Sequence, residues 1–172
     1  DVYVMASSIE DKAEAWGAEY LYEMYDEVVA AKALADGLKE NEAADADNVI
    51  EKATADKVSK FEKLAKDGLA IDIAIEGLDI IYNEDQLDTI IEIKKDIDEF
   101  KAAGGTDKGL ANAEIFNALY EAAGPDLLQR DIDEVVARID ALDDIYTATA
   151  DNEMASIEAA IKVIESKGGV VP

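Results

Sequence analysis

Apolar residues recur every three or four positions along nearly the whole chain, and that period does most to limit the folds open to it. Ile9, Ala13, Trp16, Tyr20, Met24, Val28, Ala31, Ala35 and Leu38 make one stripe that holds for about eight helical turns. Ser7 with Glu10 has the spacing of a capping box, so a first long helix is expected from Ile9 to about Lys39, with residues 1–6 loose ahead of it. The stripe fails at 40–47, where alanine and acid alternate. Asp47 can cap a second helix whose face reads Ile50, Ala53, Val58, Phe61, Leu64 and Ala65. Lys57, Lys60, Lys63 and Lys66 are expected near its C-terminal end, where the helix dipole favours cations. Asp67-Gly68 is a plausible stop, unless the helix runs on through Gly68 as one rod.

Leu69 to Tyr82 fits two periods. Leu69, Ile71, Ile73 and Ile75 alternate as in a strand, while Ile71, Ala74, Ile75, Leu78, Ile81 and Tyr82 suit a helix. A lone strand would find no partner here, so a helix is expected. Asn83 with Gln86 repeats the capping-box spacing ahead of Leu87, Ile90, Ile91, Lys94, Ile97 and Phe100, a face with Lys94 as its weak point. Gly104-Gly105 reads as a C-cap. A shorter helix follows with Leu110, Ala113, Phe116, Leu119, Tyr120 and Ala123 inside, closed by Gly124-Pro125, the clearest break in the chain. The last segment, Asp126 to Lys167, carries Leu128, Ile132, Val135, Ile139, Leu142 and Tyr146. After a soft spot at 149–152 it continues with Ile157, Ile161 and Ile164. Residues 168–172 read as a loose tail.

These stripes predict an all-α fold: an antiparallel up-and-down helical bundle of four or five helices in a single domain over 1–172, with the first and last segments as its longest rods. An α-solenoid of helical hairpins is the alternative. Asp26 to Ala30 repeats letter for letter at Asp133 to Ala137, which suits either an old duplication or the low diversity of the helices.

The charge is lopsided. Aspartate and glutamate number 41 against 16 lysines and arginines, a formal net charge of -25. Such a surface repels phosphate, so neither nucleic acid nor an anionic membrane surface is an expected partner. No apolar run reaches membrane-spanning length. The acidity suits solubility first, and attraction to a basic partner or to divalent cations second. The chain opens at Asp1 rather than methionine, so either a targeting peptide was removed or the sequence is a trimmed piece; the first reading leads to the expectation of an exported protein, in a periplasm, an organelle lumen or the medium.

The chain has no histidine and no cysteine, which removes thiolate chemistry and the usual zinc and di-iron ligand sets. The serines show no Ser-x-x-Lys arrangement, and Gly104 to Gly109 lacks phosphate-loop spacing. No catalytic residues and no cofactor are expected. Calcium is the one metal with a weak case, at Glu40, Glu42, Asp45 and Asp47, at Glu84 and Asp85, and at Asp151 and Glu153, none in EF-hand order.

The aromatics point to an interface. Trp16 and Tyr20 lie on the core stripe, whereas Tyr22 and Tyr25 point partly off it, among Glu19, Glu23 and Asp26. The expected function is a non-enzymatic docking or structural subunit that meets a protein partner, one with a basic patch, through these five residues. An extracytoplasmic ligand-sensing bundle is the alternative, and an acidic solute- or cation-binding protein the third reading. The ending Lys167 to Pro172 stops a helix instead of running toward a membrane, which favours docking over sensing.

Overall fold

A computed structural model describes residues 2–40, 50–142 and 148–172. The fold is all-α, with no strand among the described residues. Among the described residues seven α-helices run in the order α1 (Val2–Ala15), α2 (Tyr25–Lys39), α3 (Lys52–Glu76), α4 (Leu87–Ala102), α5 (Ala113–Ala122), α6 (Gly124–Asp140) and α7 (Ala148–Ser166). Short 3₁₀ turns at Tyr22–Met24, Glu84–Gln86 and Asp107–Gly109 lead into the segments that follow them. The capping residue Asp47, the acids at 42, 45 and 47, and Tyr146 lie outside the described residues.

Packing divides the chain into two compact units, residues 1–80 with 89–117, and residues 81–88 with 118–172. In the first, α1, α2 and α3 each pack against the other two. That closes a bundle on itself, which hairpins stacked in a row do not do. Its core sets Trp16 flat against Phe61, ring centres 5.7 Å apart, with Tyr20 edge-on to Phe61 at 5.9 Å. In the second unit α6 and α7 form a hairpin around Ile132, Val135, Ile157 and Ile164.

The helix count exceeds the expected four or five because both long rods are broken. The first breaks after Ala15, where Gly17 takes φ +69°, a left-handed conformation that ends a helix at little cost only for glycine. Ala13, Trp16 and Tyr20 stay buried across the break, so the stripe survives while the helix does not. Lys57 of α3 donates to the carbonyl of Ala13 and so satisfies an orphan acceptor in the last turn of α1. The start of α1 also departs from expectation. It begins at Val2, residues 2–6 are helical, Ala6 is buried, and the Ser7–Glu10 pair lies inside the helix. The last rod splits into α6 and α7. Beyond it, Val171 of the tail packs against the hairpin core, and the amides of Gly168 and Gly169 return to the carbonyls of Glu165 and Ile164.

Elsewhere the sequence reading holds in part. α3 passes Gly68 without stopping, so the four lysines sit in its middle, not at its end. Ile71 and Ile75 are buried while Leu69 and Ile73 are exposed, which settles the ambiguous stretch as helix as far as Glu76. Asn83 and Gln86 form the expected capping box. On α4 the buried seam is Ile90, Ile93, Ile97 and Phe100, so Ile93 stands in for Lys94, which turns out to pair with Asp98. Gly104 closes α4 with φ +101°, and the amides of Gly104 and Gly105 bond to the carbonyls of Lys101 and Phe100.

Candidate docking groove

The strap from Trp16 to Met24 joins α1 to α2, and it carries three of the five residues expected at an interface. Tyr20 turns inward and is buried; Tyr22 turns outward and is 44% exposed. Burial, reinforced by the charges of Tyr25 and Asp72, pushes the Tyr20 hydroxyl up to about 12.

A second loop meets this strap within the same unit. Gly105 lies under the ring of Phe100, where a side chain would collide with it. Thr106 donates its hydroxyl to Glu19, and Lys108 lies 3.7 Å from the same carboxylate. Asp72 anchors the far end of this loop. It is a buried carboxylate on α3, and its two oxygens accept the amides of Ala111 and Asn112, each at 2.9 Å. Those amides lead into α5, so Asp72 acts as a cap supplied from another helix. Asn112 returns a hydrogen bond from its side chain to the Asp72 carbonyl at 3.2 Å.

Between strap and loop lies an open groove of about 700 Å³. Leu21, Tyr22 and Glu23 form one wall, and residues from Asp107 to Asn117, with Lys108, Leu110, Glu114 and Ile115 among them, form the other. Ile115 is 46% exposed. The charged groups here are not equivalent. Asp107 pairs with Lys101 at 2.8 Å and Lys108 with Glu19. Glu23 and Glu114 are exposed and enter no ion pair among the described residues.

The five expected interface residues therefore separate. Tyr22 and Glu23 line the groove. Glu19 is tied to the loop that forms the opposite wall. Tyr25 opens α2 half-buried, and Asp26 follows it, exposed; neither lines the groove. Sequence reasoning missed the second wall. Its one legible signal was Ile115, a large apolar residue off the Ala113–Phe116–Leu119 stripe.

Other chemistry is sparse. Among the described residues no three acidic side chains converge as a metal site would require. Glu153 is engaged by Arg138, with Arg138 Nε at 3.0 Å. No helix among the described residues is long and apolar enough to cross a membrane. No family model, no curated protein and no solved structure matches this chain.

Proposed function

We propose that the chain is a non-enzymatic docking or structural subunit that binds a protein partner through the groove beside Tyr22. The observation that carries this reading is an exposed tyrosine and an exposed isoleucine lining one open groove of a strongly acidic chain. An aromatic ring with a polar tip offers large contact area with few rotatable bonds, the usual make-up of an interface anchor. The surrounding acids, Glu23 and Asp26 with Glu27, favour a partner that presents a basic patch, mainly by speeding encounter.

A photo-crosslinking amino acid in place of Tyr22, introduced in the native host, tests the reading. The expected result is one stoichiometric protein adduct from position 22 and none from an exposed control position on α4, Lys95. Tyr22→Ala should leave thermal melting unchanged and weaken binding to the captured partner by at least about 1 kcal/mol. Equal capture from both positions, or binding indifferent to Tyr22→Ala, rejects the surface.

A further inference from the structure

The groove has a charge pattern that selects its occupant. Its exposed apolar surface comes chiefly from Leu21, Tyr22 and Ile115, over the buried Leu110, and Glu23 and Glu114 belong to its lining on the two segments that form it. The one lysine on the lining, Lys108, is already matched by Glu19, and Asp107 by Lys101. The net unmatched charge among the lining residues is therefore negative, with one free carboxylate on the strap segment and one on the 107–117 segment. The groove is open, not enclosed, so it suits a chain segment crossing it better than a small molecule that must be surrounded. The same carboxylates repel the phosphates of nucleic acids and lipids.

We infer that the groove takes a short basic segment of a partner protein, with one large apolar side chain seated between Tyr22 and Ile115 and a lysine or arginine to each side meeting Glu23 and Glu114. This rests on the docking reading and adds the chemistry of the partner's contact element. The apolar anchor supplies most of the binding, because a desolvated side chain in a trough outweighs exposed ion pairs. The flanking cations fix register and direction.

The full chain, labelled with nitrogen-15, is titrated with a short synthetic peptide carrying a central leucine between arginines. Two control peptides replace the leucine with serine or the arginines with glutamate. Saturable shifts confined to the amides of residues 21–23 and 110–117, abolished by either control, are the expected result. Glu23→Gln with Glu114→Gln should weaken the peptide about fivefold, with melting unchanged, and 0.5 M salt should do the same. Shifts spread over all acidic helices, or equal shifts from the serine peptide, mean diffuse charge attraction and overturn the inference. Absence of binding also overturns it. A partner that crosslinks at Tyr22 yet ignores Glu23→Gln with Glu114→Gln overturns the basic segment while leaving the docking reading standing.

Discussion

The two units solve the same problem, burying one face of each helix, with different materials. The first sets rings and glycines among its aliphatic residues. Phe61 lies against Trp16 and Tyr20, and Phe100 fills space left open by Gly68, Gly105 and Gly109. A Cβ on Gly68 would meet the Gly109 carbonyl at 3.1 Å, and one on Gly109 would meet Phe100 at 2.8 Å. The second unit has an aliphatic core of Ile132, Val135, Ile157 and Ile164, with Leu128, Val136 and Leu142 partly buried around it. Its polar ties lie at or near the surface: Arg138 to Glu153 and Ser156, Lys167 to Asp131, Arg130 to Asp88, and the half-buried Tyr82 to Asp126. Shape-matched rings and glycines fix one arrangement and tolerate little change, whereas an aliphatic hairpin can close around a lost methyl group. The groove is built on the first kind of packing, so the core beneath it sets its shape.

Phe100→Ala should give the largest effect and the sharpest test of that contrast. The ring is 1% exposed and has three glycines around it that cannot fill its volume. A loss of about 3–5 kcal/mol is expected in urea melts. Ile157→Val in the hairpin should cost about 0.5–1.5 kcal/mol. Similar losses at the two sites would erase the distinction. Native-state hydrogen exchange should agree, with amides of α6 and α7 opening before those of α3.

Next in size is the difference between a buried and an exposed carboxylate. Asp72→Ala leaves the amides of Ala111 and Asn112 without their acceptor and should cost about 1–3 kcal/mol, with faster exchange at both amides. It should also loosen the second wall of the groove. Arg138→Ala breaks the pair with Glu153 on the hairpin surface, and a loss below about 1 kcal/mol is expected in the same melts.

Silent at neutral pH, but cleanest in sign, is the behaviour of two tyrosines. Both hydroxyls are pushed up to about 12, Tyr20 by burial and Tyr82 chiefly by donating a 2.5 Å hydrogen bond to Asp126. An acid whose folded pKa is raised keeps its full stabilisation below its unfolded value of about 10 and loses it as pH climbs toward 12. Tyrosinate absorbance should therefore lag in the native protein between those limits. Asp126→Asn should return Tyr82 toward 10 and leave Tyr20 where it is. A Tyr20 that ionises with Tyr82 in that variant would contradict burial as its cause.

Much of the fold was legible because helical period, caps and breakers are local. The box at Asn83 and Gln86, the close of α4 at Gly104 and the stripe of α5 need only neighbours in sequence. Half of the groove was legible as well, since Tyr22 sits off a stripe that otherwise predicts burial. The unforeseen break in the first rod has a plain cause. A stripe records which residues face the core, and it persists through Gly17 even where the backbone does not remain helical.

An all-α fold, a strongly negative charge and the residues that face the cores follow from period and composition alone. Tertiary structure decided what no local pattern encodes. Asp72 reads in sequence as an interruption of an apolar run, and only the arrival of the 107–112 loop makes it the acceptor for α5. Gly68 reads as a stop and is instead a contact point within an unbroken helix. Glu23 and Glu114, far apart in the chain, become the two sides of one groove because a distant carboxylate and a ring-packed glycine set the loop that joins them.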